Sequence, residues 1–294
     1  MSSLPAAVHA LVARTVGAVT GVAPVGGGDT SRAARVETAG GAVFAKWGDA
    51  PAGASYAAEA EGLDALAVAA PAGLDRPDVL ALRAPDADGP GAIVLRWIRA
   101  AARPDRADWR AFGARLAGLH AARVPSTGYG WHADNWIGSK PQRNAWVDDW
   151  PSFFGEYRLL AQARTVRECG AWDAAWDAPL DRMVARLPDL LPRQPERALV
   201  HGDLWAGNVM PQPDGRFALI DPAVYVGDGV VDLAMMHLFG GFGDAQDGYA
   251  EARPLPDDWR SVFEVYNLYH LINHLTHGGG YRAPVEATLR RYGG

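Results

Sequence analysis

His201-Gly202-Asp203-Leu204-Trp205-Ala206-Gly207-Asn208-Val209-Met210, with the apolar run that ends in Asp221, is the stretch from which the rest of the chain is read. Ala198, Leu199 and Val200 lead into a polar turn holding Asp203, and Asn208 lies five positions on, just before Val209 and Met210. The pattern predicts a strand, a loop and a strand. A second short strand from Phe217 to Ile220 then delivers Asp221, with Asp214-Gly215 as the hairpin turn. Asp203, Asn208 and Asp221 would hang from the ends of adjacent strands and converge on one point. Phosphoryl transfer needs such a set: a carboxylate to accept the proton of an attacking hydroxyl, and an amide oxygen plus a carboxylate to hold magnesium ions that bridge phosphates. The spacing, Asp-x4-Asn with a second Asp thirteen residues later, is that of a kinase catalytic loop and its metal-binding Asp. Taken singly, each residue reads as a turn former or helix cap. The ordered triplet between apolar strands is much harder to explain that way.

The 294 residues suffice for two modest domains or one large one, and at 49% hydrophobic and 21% charged they can supply an ordinary globular core. A net charge of −6, with arginines scattered, offers no basic stripe to neutralise a nucleic-acid backbone. Cys169 is the only cysteine, which excludes an intrachain disulfide and a cysteine-rich zinc site and suits a reducing cytoplasm. Met1-Ser2-Ser3-Leu4-Pro5 lacks the cationic start and apolar core of a secretion signal, and no run reaches the ~18 apolar residues of a membrane helix. A soluble, cytoplasmic protein with no nucleic-acid or membrane partner is expected.

Leu4, Val8, Leu11, Val12 and Val16 share a helical face that ends near Gly17. Gly26-Gly27-Gly28 then opens a hairpin of two strands, Ala33 to Thr38 and Ala42 to Trp47. Such a cluster folds over phosphates with its backbone N–H groups or is simply a flexible turn. Lys46 lies near the end of the second strand, and Glu59 falls in a helix from about Ala52 to Ala70 whose stripe is Tyr56, Leu63, Leu66 and Ala67. A strand lysine braced by a helix glutamate is how kinases aim an ammonium at the α- and β-phosphates. Glu61 competes for the part, but Glu59 lies closer to the apolar stripe. Asp78 to Leu82 and Ala92 to Ile98 read as further strands, and the backbone of Arg96, Trp97 and Ile98 is a place for adenine. The boundary between an N-terminal domain, 1–98, and a C-terminal one, 99–294, falls there.

Beyond it, helices are expected over Asp108 to His120, Phe153 to Glu168, Trp176 to Leu187, Val230 to Met236, Trp259 to His277 and Pro284 to Arg291. Ala121 to Pro151 reads as a long irregular segment carrying Trp131, Trp136, Trp146 and Trp150, which wall a sugar site or pack the loop onto the core. Asp232 is expected to hydrogen-bond the backbone of the catalytic loop. His270, His274 and His277 share a helix at metal-ligand spacing but lack supporting carboxylates, so structural or substrate contacts are favoured.

The chain resembles the fructosamine kinase, or ketosamine 3-kinase, family over essentially its whole length. The resemblance rests on Gly26-Gly27-Gly28, Lys46, Glu59, the segment Asn144 to Phe154, the HGDLWAGNV loop, Asp221-Pro222-Ala223, Asp232 through Gly240-Gly241-Phe242, Asn273-His274 and Tyr281-Arg282. It implies an α+β, bilobal protein-kinase-like fold, with a small antiparallel-sheet N-lobe and a larger, mostly helical C-lobe. It also implies ATP- and Mg2+-dependent phosphorylation of the 3-hydroxyl of a ketosamine on a free or protein-bound amine, an unstable product, and deglycation. Asp203 would be the base, Asn208 and Asp221 the magnesium ligands, and Gly26 to Gly28, Lys46, Glu59 and the Arg96 to Ile98 backbone the nucleotide site. Trp205 and His274 would contact the sugar, His201 would orient the loop, and the protein would be a monomer or homodimer. Some members carry a cysteine in the glycine-rich loop; Asp29, Thr30 and Ser31 stand there in this chain, which puts redox regulation in doubt. A kinase of aminoglycosides or choline, and a nucleotide-binding pseudokinase scaffold, are the alternatives.

Overall fold

Val43, Ala45 and Trp47 turn one way from their strand and are buried, while Phe44 and Lys46, turning the other way, are half-buried. Period-two alternation with both sides covered calls for a sheet packed on two faces. That is what the computed structural model shows; it describes residues 4–26, 31–49, 52–101 and 103–294.

Helix α1 (Ala6–Val16) precedes strands β1 (Val19–Val25), β2 (Arg32–Thr38) and β3 (Gly41–Gly48); helix α2 (Ala52–Ala69) and the two-residue β4 (Leu74–Asp75) come before β5 (Val79–Arg83) and β6 (Gly91–Arg96). Five of these strands form one antiparallel sheet in the order β1-β2-β3-β6-β5. Leu4, Val8, Leu11 and Val12 from the α1 end pack on Ala34, Val36, Val43, Ala45 and Trp47. Tyr56, Ala60 and Leu63 of α2 pack on Ile93 and Leu95 from the opposite face, the one from which Lys46 projects. Glu59 and Ala60 belong to the buried stripe of α2, whereas Ala67, expected in it, is exposed.

After α3 (Arg106–Ala121) the chain forms a short hairpin, β7 (Asn135–Ile137) and β8 (Lys140–Gln142), then α4 (Trp150–Phe153), a π-helical turn over Phe154–Leu160, α5 (Ala161–Glu168), α6 (Asp177–Ala185) and α7 (Leu187–Leu190). Then follow β9 (Arg197–Val200), β10 (Val209–Pro211), β11 (Phe217–Leu219), β12 (Tyr225–Asp228), α8 (Val230–Phe239), α9 (Ala245–Ala252), α10 (Phe263–His274) and α11 (Arg282–Gly293). One large core joins them, with Phe112, Leu116, Trp150, Phe153, Leu199, Leu233 and Ile272 at its centre.

Several expectations are corrected. Strand β6 ends at Arg96, so Trp97 and Ile98 lie beyond it. Strand β1 pairs with β2 although its sequence carries little alternation, and the supposedly irregular 121–151 contains β7 and β8. The strand before Asp203 does not neighbour the one before Asp221. Strand β9 pairs with β12, while β10 and β11 form a separate hairpin that β4 joins in parallel. Gly215, in the predicted turn, has φ 75°, which suits glycine. The last long helix is broken by 3-10 turns on both sides of α10. Among the described residues no helix is long and apolar enough to cross a membrane.

Helices α3 and α9 meet backbone to backbone: a Cβ at Gly113 would lie 1.7 Å from the Ala245 carbonyl oxygen. Substituting Gly113→Ala is therefore expected to destabilise the fold by about 3 kcal/mol, the upper part of the overpacking range, read as a lowered urea midpoint at unchanged slope.

Candidate active site

The foundation is Asp232, in the first turn of α8 and buried. Its Oδ2 accepts from the His201 N–H at 2.7 Å and its Oδ1 from the Gly202 N–H at 3.0 Å. His120, from α3, places Nε2 at 3.1 Å from the same carboxylate, and its Nδ1 lies 3.0 Å from the Tyr249 hydroxyl. Burial opposes the charge of Asp232, but bonds to His120 and to the loop backbone hold its pKa below the usual carboxylate range. The expected bond to the catalytic-loop backbone is thus present. His120, distant in sequence, was not anticipated as its partner.

Gly202 has φ 79°, and a Cβ there would lie 2.2 Å from the Ala223 carbonyl oxygen. Only glycine passes so close to the turn that follows Asp221. His201 ties the same two segments together: Nε2 donates to the Ile220 carbonyl at 3.0 Å, and Nδ1 accepts from the Asp203 N–H at 3.3 Å. A carbonyl only accepts and an amide N–H only donates, so the tautomer follows. Burial keeps its pKa low and the ring neutral. His201 orients the loop.

Asn208 lies in a 3-10 turn, Ala206–Asn208, and its Nδ2 donates to the Asp203 carbonyl at 2.9 Å and to Asp203 Oδ2 at 3.1 Å. With the amide donors facing Asp203, Oδ1 is the group left for a cation. Burial, with the negative charges of Asp221 and Asp232, pushes the Asp203 carboxyl up to about 7 against the Asn208 bond. A base with a pKa near the working pH combines occupancy with driving force.

Lys46 joins the lobes. Its Nζ lies 2.9 Å from Glu59 Oε2 and 2.8 Å from Asp221 Oδ1. Burial works against the ammonium, but the two carboxylates outweigh it and keep its pKa above the ordinary lysine range. Burial drives Glu59 upward, with Lys46 opposing. Asp221 is lowered despite burial, because Lys46 faces it. Glu61, the competitor, instead receives Trp131 Nε1 at 2.7 Å and His132 Nε2 at 2.9 Å, fastening α2 to the segment before β7. No spacing rule pointed to that contact, which spans 70 residues.

The remaining expected residues are placed as follows. Gly26 borders open space, with nothing within 4 Å of a built Cβ; Gly27 and Gly28 lie outside the described residues. The Arg96 N–H is taken by the Asp78 carbonyl at 2.9 Å and the Trp97 N–H by the Ala42 carbonyl at 3.4 Å, so the donor left to an adenine edge is that of Ile98. The Arg96 side chain turns to Asp78, and the Trp97 ring faces Arg35. Trp205 is 43% exposed, its ring lying over Gly207. Half-buried His274 donates from Nδ1 to the His270 carbonyl, 2.8 Å away, and packs against Phe239, His277 and Tyr281. His270 is buried and its pKa depressed to about 3 by burial, which suits a neutral ring in the core.

Among the described residues no cluster of three His, Cys, Asp or Glu side chains could enclose a metal. Two hard oxygen donors, Asn208 Oδ1 and the Asp221 carboxylate, fit magnesium, which takes few protein ligands and completes its shell with phosphates and water.

A family model for fructosamine kinase matches residues 3–292. The chain belongs to the fructosamine kinase family. A protein of Synechocystis sp. described as a "probable ketoamine kinase" is 39% identical over 254 residues, 84% of this chain and 82% of that protein. A chloroplastic protein-ribulosamine 3-kinase of Oryza sativa subsp. indica is 30% identical over 283 residues, covering 93% of this chain and 79% of the relative. The crystal structure of a Thermobifida fusca protein provisionally assigned as a fructosamine-3-kinase superposes with a TM-score of 0.83 at 31% identity, over 98% of both chains. Aminoglycoside phosphotransferase APH(4)-Ia, as a thermostable mutant, shares the fold alone: TM-score 0.68 at 16% identity over 97% of this chain and 99% of that one. The fold of this family member is accordingly the α+β, two-lobed protein-kinase-like one expected from the sequence.

Removing the Asp232 carboxylate strands two buried N–H groups and His120. Asp232→Ala is expected to lose about 3 kcal/mol or more of stability, visible in chemical denaturation. Asp203, at about 7, should be roughly half protonated in the free protein near neutral pH and should lose that proton when a magnesium ion binds close by with its nucleotide. Calorimetry of Mg·ADP binding in buffers of different ionisation enthalpy should show proton release at pH 7 that fades by about pH 8.5. Asp203→Asn should remove this part of the release.

Proposed function

We propose that this protein is an ATP-dependent ketosamine 3-kinase. Family membership carries the reading, and the placement of Asp203 beside Asn208, with Asp221 held by Lys46, supports it. Residues 1–98 would form the nucleotide-covering lobe and 99–294 the lobe that carries the catalytic loop and the acceptor.

In this reading the backbone at Gly26 to Gly28 covers the phosphates, Lys46 braced by Glu59 takes the α- and β-phosphate oxygens, and adenine meets the connector at Arg96, Trp97 and Ile98. Asn208 and Asp221 would hold magnesium, which when bound neutralises charge on the bridging phosphates. Asp203 accepts the proton of the sugar 3-hydroxyl as its oxygen attacks the γ-phosphorus and the bond to ADP breaks. A raised Asp203 pKa makes it a stronger base than a solvated aspartate, and neutral His201 keeps it aimed. Trp205 and His274 border the acceptor side of the loop. The ketosamine 3-phosphate then falls apart to the free amine, so the effect is deglycation, in the cytoplasm.

The test is a panel of fructosyl- and ribulosyl-amines, free and protein-bound, with aminoglycosides and choline as competitors, incubated with Mg·ATP and read by product mass. Phosphate is expected on the ketosamines. Turnover only of aminoglycosides or choline would reject the reading in favour of that class of kinase, and nucleotide binding with no turnover of any acceptor would favour a scaffold. Asp203→Asn should keep nucleotide affinity within about twofold and lose on the order of 100-fold or more in kcat.

A further inference from the structure

Asp221 is the one non-glycine residue with positive φ, 50°, among those described. Left-handed backbone costs an ordinary side chain on the order of 1 kcal/mol or more and persists only where the surroundings impose it. Lys46 holds the carboxylate, and the Ala223 N–H bonds the His201 carbonyl at 2.9 Å. The carbonyls on the far side of the turn are held by side-chain amides. Gln142 Nε2 donates to the Ala223 carbonyl at 3.0 Å and to Asn135 Oδ1 at 2.7 Å, and Asn135 Nδ2 donates to the Val224 carbonyl at 2.7 Å.

A primary amide turned by half a revolution keeps its shape but presents oxygen where it had presented N–H, so this clamp depends on each amide's direction. The direction is set at Asn144 from both ends of its amide. Asn144 Nδ2 donates to Asn135 Oδ1 at 3.1 Å and to the Ala133 carbonyl at 3.1 Å, and Asn144 Oδ1 accepts from an Arg158 terminal nitrogen at 2.9 Å. A guanidinium only donates. Asn144 must therefore turn its oxygen to Arg158 and its NH2 to Asn135, whose own NH2 is left for Val224. The Asn135 oxygen in turn draws the Gln142 NH2, and the Tyr269 hydroxyl, 2.7 Å from Gln142 Oε1, fits the same sense.

Arg158 is a costly residue to keep for packing alone. It is fully buried on the π-helical turn, and it donates to the Arg143 and Tyr157 carbonyls and to Asn144. Its Nε has no partner, its faces are covered by Tyr225 and Phe153, and no carboxylate pairs with it among the described residues. A buried cation without a counter-ion is destabilising, so its retention points to orientation.

We propose that Arg158 is a positioning residue for the metal–nucleotide site: acting with the Ala133 carbonyl on the two ends of the Asn144 amide, it sets the polarity of the Asn144–Asn135–Gln142 relay that holds the Asp221–Val224 turn. The inference rests on Asp221 being a magnesium ligand, as argued above.

The experiment measures ADP affinity by calorimetry with magnesium and with EDTA, so it needs neither acceptor nor turnover. Asn144→Asp is the discriminating variant. It gives Arg158 a counter-ion, so if Arg158 served packing alone the protein would be unharmed. In the relay, a carboxylate facing Asn135 turns that amide around and sets oxygen against the Val224 carbonyl. The magnesium-dependent gain in ADP affinity is expected to fall about 10-fold or more, with the EDTA value within about twofold of wild type. Arg158→Met should do the same and Arg158→Lys should recover most of the gain; if Arg158→Met fails to fold, Asn144→Asp decides. A folded Asn144→Asp protein with the wild-type magnesium gain, or with equal losses with and without metal, would overturn the proposal. Wild-type affinity indifferent to magnesium would instead overturn the Asp221 assignment beneath it.

Discussion

One ammonium group, that of Lys46, ties together three parts of the chain that no covalent constraint holds near one another. Its bonds to Glu59 on α2 and to Asp221 after β11 join the sheet, the helix behind it and the turn that follows β11 at a single point. The three charges make one another possible: burial would neutralise either carboxylate or the lysine alone, and together they remain ionised in part because each is the other's solvent. On the proposed function, nucleotide phosphates entering this site would meet a cation already aimed, so little side-chain ordering would be left to oppose binding.

Beneath that contact lies a second arrangement that carries no substrate. Asp232 draws in the His201 and Gly202 N–H groups, Gly202 lets the loop pass against Ala223, and neutral His201 bonds Ile220. The loop bearing Asp203 and the strand bearing Asp221 are thereby fixed to each other through backbone. This explains why residues on two separate ladders, β9–β12 and β10–β11, still present their side chains to one place. Catalytic groups held by backbone bonds can carry raised or lowered pKa values without drifting apart.

Much of this was legible beforehand, and the reason differs by residue. Asp203, Asn208 and Asp221 stand close in sequence between apolar strands, so local pattern sufficed. Lys46 was readable from its place near the end of a strand just before the helix that carries Glu59, and the nearness of Glu59 to the apolar stripe of that helix separated it from Glu61. What stayed hidden depends on contacts between distant segments. His120 meets Asp232 across 112 positions, and Gln142 meets Ala223 across 81. Nothing in the neighbourhood of either residue signals such a partner. Strand β1 escaped notice because its burial does not alternate, and the strand nature of 135–142 was masked by glycine, proline and asparagine. The strand before the connector was expected to run two residues too far because Trp97 still bonds sideways to Ala42 after the regular pairing has stopped.

The short parallel pairing of Leu74 and Asp75 with Phe217 and Ala218 means that the chain passes between lobes twice, once as the covalent connector and once as a strand lodged in the other lobe's hairpin. Two attachments along one edge define an axle. Any relative motion of the two lobes would then be smallest beside that pairing and largest at the β1 edge of the sheet.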